Sequence, residues 1–207
     1  MSATWQARPL LAFAAALISA LVLNDARPVV AETHASLTGQ FLIATPSMGD
    51  PRFEHAVILM VRHDKDGAFG LVVNRPIAER PLADLLAVLG DNDATVAGTI
   101  RILAGGPVQP ELGFLIHSAD YRGPRTIDID GRVAVTSSRE VLHAIGSGKG
   151  PSKSLFVFGY AGWGAGQLEG EIERRSWVTA PTEERLIFDE DRERLWDIVY
   201  AHRTQDL

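Results

Sequence analysis

The chain has 207 residues, 46% of them hydrophobic, with 20 Lys and Arg against 26 Asp and Glu, a formal charge of −6 and no cysteine. That length suits one domain of ordinary size, or one domain behind a targeting segment, and the apolar fraction excludes wholesale disorder. The lack of cysteine removes disulfide scaffolds, Cys-ligated zinc, iron–sulfur clusters and thiol catalysis, and the acidic balance argues against a surface built as a polyanion footprint.

Residues 10–23 (LLAFAAALISALVL) carry no charge or strongly polar group; Arg8 lies before them and Asn24, Asp25 and Arg27 after. A membrane-spanning helix needs about 20 apolar residues, whereas a secretory core needs roughly 7–15. Val29, Val30 and Ala31 then put short side chains where signal peptidase reads. Residues 1–31 therefore read as a signal peptide cleaved after Ala31, or as an N-terminal anchor if retained. Residues 32–39 read as a polar linker to a single domain at 40–203. Cleavage implies a periplasmic or secreted protein, retention implies membrane contact through this segment alone, and an unused upstream start leaves the chain cytoplasmic.

Within the domain, 40–46 (QFLIATP), 55–63 (HAVILMVRH) and 68–74 (AFGLVVN) predict strands, the last two joined in a hairpin through Asp64, Lys65, Asp66 and Gly67. Leu82, Leu85, Leu86 and Leu89 recur at helical spacing between Pro81 and Gly90, which predicts a helix over 81–89. Strands follow at 99–104 and 112–118, split by Gly105, Gly106 and Pro107, and at 126–129 and 132–136 around a two-residue Asp130-Gly131 turn. Ser137, Ser138, Arg139 and Glu140 have the pattern of a capping box opening a short helix with Val141, Leu142 and Ile145 inward. An apolar strand at 154–160 runs into a turn of Gly162, Trp163, Gly164 and Gly166 and a helix over 167–177. The last helix is expected at 190–203, with Asp189 as its N-cap. Two tight hairpins mixed with three to four helices imply an α+β domain.

Complete chemical motifs are few. Gly162, Gly164 and Gly166 are spaced by two, not as a dinucleotide fingerprint requires, and Gln167 stands where the third glycine would fall. The run from Gly146 to Gly150 lacks the upstream glycine and the final hydroxyl of a phosphate loop. The six histidines show no metal-ligand spacing, with His55 and His63 far apart on one strand. His117 stands alone in an apolar strand, and a triad with Ser137 or Ser138 and Asp120 competes with the capping role of Ser137. Glu169 and Glu173 share a helix face at i,i+4, which reads as solvated surface. Arg101, Arg122, Arg125, Arg132 and Arg139 are interspersed with acids, so nucleic acid is disfavoured as a partner.

Three groups of segments carry a resemblance. They are 37–63 (LTGQFLIATPSMGDPRFEHAVILMVRH), then 67–77 (GAFGLVVNRPI) with 104–108 (AGGPV), and finally 136–145 (TSSREVLHAI), 159–172 (GYAGWGAGQLEGEI) and 176–181 (SWVTAP). Together they resemble the YqgE/AlgH family. The resemblance implies an α+β fold with mixed and antiparallel sheets folded into a flattened pseudo-barrel, and a family some of whose members are described as transcriptional regulators. It supplies no catalytic residues, cofactor or metal. On that basis Asn74, Arg75, Gly105, Gly106, Pro107, Gly162, Trp163, Gly164 and Gln167 are the candidate ligand-binding residues, edging one cleft. The expected function is a non-catalytic binding or regulatory module for a small ligand or partner protein. The alternatives are a hydrolase-like enzyme using His117, or a transcriptional regulator if the chain stays in the cytoplasm.

Overall fold

The computed structural model describes residues 35–93 and 95–204; the expected signal peptide or anchor at 1–31 lies outside the described residues. Among the described residues, ten strands form the frame: β1 (Gln40–Ala44), β2 (Val57–Asp64), β3 (Gly67–Val72), β4 (Pro76–Pro81), β5 (Thr99–Ala104), β6 (Val108–Ser118), β7 (Thr126–Asp128), β8 (Val133–Thr136), β9 (Ser154–Gly164) and β10 (Trp177–Pro181). Five α-helices of the described residues pack on them: α1 (Leu82–Val88), α2 (Glu140–Gly146), α3 (Gln167–Glu173), α4 (Glu184–Phe188) and α5 (Leu195–Ala201), with a 3-10 turn at Pro51–Phe53. Among the described residues, no helix is long and apolar enough to cross a membrane.

The strands run in the order β10-β1-β2-β3-β9-β6-β8-β7, with β5 pairing parallel to β9 and antiparallel to β4. The α+β class holds, as a mostly antiparallel sheet curled into a half-barrel with five helices rather than three or four.

Unbroken apolar runs in β1 and β2 mean strands covered on both faces. Alternation then sorts them: Phe41, Ile43, Val57 and Leu59 enter one core with Leu71, Val157, Ile187 and Val199. Leu42, Ala44, Ile58 and Met60 enter a second core on the opposite face with Trp163, Leu168 and Trp177. A third cluster joins α1 and α2 to β5 and β9 through Leu82, Leu86, Leu142, Ile102 and Phe156. A bulge in β2 between Met60 and Arg62 breaks the alternation. An extra residue there reverses every side chain beyond it. Arg62 therefore pairs with Phe69 beside the first core, and His63 pairs with Ala68 beside the second.

Several expectations need correction. The turn of Gly162, Trp163 and Gly164 is strand: β9 continues through it and pairs Trp163 with Ala68 and Gly164 with Gly67 of β3. Small residues here let β3 approach, and the chain turns only at Gly166, where φ is +70°. The helix expected to 177 stops at Glu173 because β10 begins at Trp177 to pair with β1. The β7–β8 turn has three residues, not two: Ile129 N–H donates to the Val133 carbonyl (3.0 Å) and Gly131 takes the left-handed conformation at φ +77°.

The capping box does not form. β8 pairing runs through Thr136, and the Ser137 N–H donates to the Arg125 carbonyl (3.4 Å), so the chain stays extended where the box needs a helix. Helix α2 starts at Glu140 without a side-chain cap. The last helix starts at Leu195, not 190, and Asp189 closes α4 instead of capping α5. The cause is Arg192, 5% exposed. Its guanidinium donates to the carbonyls of Val73 (3.2 Å), Leu186 (3.0 Å), Ile187 (2.8 Å) and Glu190 (2.9 and 2.6 Å), which holds the connection as turns. Burial pushes Arg192 down to about 10, which leaves it cationic at neutral pH.

Candidate functional site

Helix α3 follows β9 directly, so residues at i and i+4 on its first turns face back over the strand. Gln167 and Glu171 are such a pair. The Glu171 Oε2 accepts from the indole Nε1–H of both Trp163 (2.9 Å) and Trp177 (2.8 Å), and its Oε1 accepts from Gln167 Nε2 (2.9 Å). Gln167 Oε1 in turn accepts from the Gly164 N–H (3.1 Å). Burial alone would push the Glu171 carboxyl up, but the donors from Gln167, Trp177 and Trp163 outweigh it and hold the group below the usual carboxylate range. A carboxylate held ionised in this way is a poor proton acceptor; its effect here is to fix the two rings.

Those rings form the floor of a cleft of about 330 Å³. Trp163 and Trp177 meet edge to face at 5.9 Å, and Phe53 meets Trp177 edge-on at 5.4 Å. The facing wall is the 48–53 segment, where Asp50 caps the 3-10 turn through the Arg52 N–H (2.9 Å) and pairs with the Arg52 guanidinium (2.7 Å). That guanidinium, by side-chain hydrogen bonding, holds the Asp50 carboxyl below its ordinary range. Pro107 and Val108 close one end. The cleft thus offers an aromatic floor, one exposed cation, one carboxylate and an amide.

The nine sequence candidates separate into three roles. Pro107, Gly162, Trp163 and Gln167 line this cleft, and Gly164 supports it through Gln167. Asn74 and Arg75 lie behind its wall. Asn74 accepts from the Val57 N–H (2.9 Å) and donates to the His55 carbonyl (2.8 Å), while Arg75 donates to the carbonyls of Arg52 and Glu54 (3.0 Å to Glu54). These two border a separate recess of about 470 Å³ with His55 and Trp196. Gly105 and Gly106 line neither cavity. A Cβ on Gly106 would stand 2.1 Å from the Tyr160 carbonyl carbon, and one on Gly105 2.4 Å from the Gly159 oxygen. Their smallness lets the β5–β6 connection cross against β9.

Sequence reasoning missed Glu171, whose signal was its i,i+4 spacing from Gln167 between two tryptophans. It also took Glu169 for solvated surface. Glu169 Oε1 lies 2.9 Å from Nε2 of buried His63, which the β2 bulge turns toward α3. The Leu37 N–H donates to His63 Nδ1 (3.1 Å), so the ring is the Nε2–H tautomer donating to Glu169. His55 precedes β2 rather than sharing the strand with His63.

His117 is wholly buried. Its Nδ1–H donates to the Ser118 carbonyl (2.8 Å), so Nε2 accepts from the Thr136 hydroxyl (2.8 Å), which in turn meets Thr126 Oγ1 (2.6 Å). Burial pushes the ring below the ordinary histidine range. Neither Ser137 nor Ser138 bonds to it, and Asp120 instead accepts from the Ser118 hydroxyl (2.7 Å), so the imagined triad is not assembled. Among the described residues, no three His, Asp or Glu side chains gather where they would share a metal ion.

A family model described as AlgH-like (DUF179) matches residues 41–207. A UPF0301 protein of Rhizorhabdus wittichii is 47% identical over 166 residues, covering 80% of this chain and 89% of its own. One from Rhodospirillum rubrum is 41% identical over 163 residues, covering 78% and 85%. The solution structure of the AlgH protein from Pseudomonas aeruginosa superposes with a TM-score of 0.70 at 40% identity, covering 81% of this chain and 89% of that one. A crystal structure of a Corynebacterium diphtheriae protein, at 19% identity and a TM-score of 0.63 over 85% and 91% of the two chains, shares the fold.

Proposed function

The chain belongs to the AlgH-like family, and from that premise we propose that it is a non-catalytic binding module that takes a small polar ligand, or a short partner segment, in the cleft between the 48–53 wall and α3. One observation carries the reading: Glu171 holds two indole rings and Gln167 in a fixed arrangement around an open cleft. Such fixing lowers the ordering cost that a ligand would otherwise meet. The mixture of an aromatic floor with an Arg52–Asp50 pair and an amide suits a ligand with a flat apolar part and both donor and acceptor groups. A regulatory role is part of the proposal, exercised through whatever occupies the cleft. The hydrolase-like alternative finds no support in the site, because both ring nitrogens of His117 are engaged by structural partners.

The test is a fragment screen on protein carrying 5-fluorotryptophan, read by fluorine NMR. The expected result is a set of polar aromatic fragments that shift the Trp163 and Trp177 resonances and lose affinity in Arg52→Ala. Hits that leave both resonances in place, across a screen with binders elsewhere, would sink the proposal. Export is a further part of the proposal: with cleavage after Ala31, the module would work outside the cytoplasm and meet its ligand there.

A further inference from the structure

The opposite face of the same sheet carries a second cavity of about 250 Å³, lined by Val61, Phe69, Phe114, Ile127 and Val135, with Arg62, Arg125 and Ser137 among its lining residues. Phe69, Phe114 and Tyr160 back it as an aromatic triad, with centroids 5.0 to 6.2 Å apart. Phe69 lies beside Ala68, whose partner Trp163 floors the cleft on the other side, so the two cavities do not communicate through one face.

Three features set this cavity apart from an incidental gap. The β2 bulge is what brings Arg62 here: without the extra residue, Arg62 would follow Met60 to the other face. Such bulges occur at barrel rims and re-aim side chains. Arg125, a non-glycine residue, is held at φ +55°, a conformation L side chains disfavour. Its guanidinium makes no ion pair among the described residues, while Arg62 has only a long, exposed contact with Asp64 (3.5 Å). Among the described residues, no acidic side chain lines the cavity. Apolar walls, two cations and a hydroxyl together match one ligand chemistry.

We propose that this cavity binds a small carboxylate with an apolar body, its chain or ring against Phe69, Phe114 and Val135 and its carboxylate on the Arg125 guanidinium. Size limits the body. An apolar cavity of about 150 Å³ already accepts benzene, so one of about 250 Å³ takes a single ring with a short linker, or a medium-length acyl chain. The ion pair sits at a mouth bordered by apolar surface, where a bidentate guanidinium–carboxylate contact is favoured over a neutral one. The site is independent of the tryptophan-floored cleft.

The experiment titrates the full chain with octanoate, 4-phenylbutyrate, octan-1-ol and acetate, followed by methyl NMR of Val61, Ile127 and Val135. Octanoate or 4-phenylbutyrate is expected to saturate these shifts, with octan-1-ol and acetate at least about tenfold weaker. The tighter of the two acids tells an acyl source from an aromatic one. Arg125→Gly removes the cation while relieving the positive φ, so it is expected to fold at least as well as the parent and to lose about tenfold in affinity for the acid. Octan-1-ol binding as tightly as octanoate would overturn the proposal. So would an Arg125→Gly protein with unchanged affinity, binding of neither acid, or shifts confined to the Trp163 and Trp177 indoles.

Discussion

Glu171→Gln preserves the size of the side chain and breaks the cleft by polarity alone. Every donor in the relay points toward residue 171: Gly164 N–H to Gln167, Gln167 Nε2 to Oε1, and two indoles to Oε2. A carboxamide at 171 can keep its oxygen on the indoles, but its NH2 then faces the NH2 of Gln167. Flipping Gln167 only moves the conflict to the Gly164 N–H. Two charge-assisted bonds become neutral ones, at about 1 kcal/mol each, and a third becomes a donor–donor contact costing about 1–2 kcal/mol. Discounted because Glu171 is partly exposed, the net loss is about 2–3 kcal/mol, readable as a lower urea midpoint at unchanged slope. The exchanged double variant Gln167→Glu with Glu171→Gln puts every donor back on an acceptor. It is expected to recover more than half of the loss and to restore the resonances of both indoles. A single variant within about 0.5 kcal/mol of the parent, or a double variant worse than the single, would refute the polarity argument.

Arg192→Lys offers three donors on one nitrogen in place of a guanidinium that reaches four carbonyls. At least two of the five hydrogen bonds are lost, so unfolding experiments should show a cost of about 3–5 kcal/mol; a cost under about 1 kcal/mol would mean the carbonyls are served by water. His117 is neutral in the fold, and its folded value lies below the ordinary 6.5. Its contribution is therefore fully present above pH 6.5 and is lost as pH falls through 6.5 toward that lower value. The urea midpoint should drop between pH 7 and pH 5 in the parent and much less in His117→Gln; equal drops in both would contradict this. The proposed export predicts that mass spectrometry of the native protein finds a chain beginning at Glu32, and an intact Met1 or Ser2 terminus would contradict it.

Much of the frame is legible in the sequence because period and turn chemistry act locally. The 64–67 hairpin, helix α1 and the β5 and β8 strands follow from Gly67, from the leucine spacing and from β-branched runs. What escaped depends on partners distant in the chain. Trp177 reads as the end of a helix until β1 is there to pair with β10, and Gly162 to Gly164 read as a turn until β3 lies alongside. The bulge at Met60 and Arg62 has no local signature at all, yet it decides that His63 meets Glu169 and that Arg62 reaches the second cavity. Of the candidate site, the glycine and tryptophan string pointed to the right segment of the chain. Glu171 was hidden because its role exists only once Trp163 and Trp177, from two different strands, converge on it.

The pairing scheme also sets the order in which the molecule can assemble. β9 touches β3, β5 and β6, so three pairings of the sheet wait for a segment that begins only at Ser154. The outer edge of β1 waits longer still, because Gln40 pairs with Pro181. A ribosome therefore releases a run of hydrophobic strands well before their partners exist, and loop closure over such distances is slow. The sheet stays incomplete until β9 and β10 have emerged. The nascent chain is a substrate for chaperones during that interval.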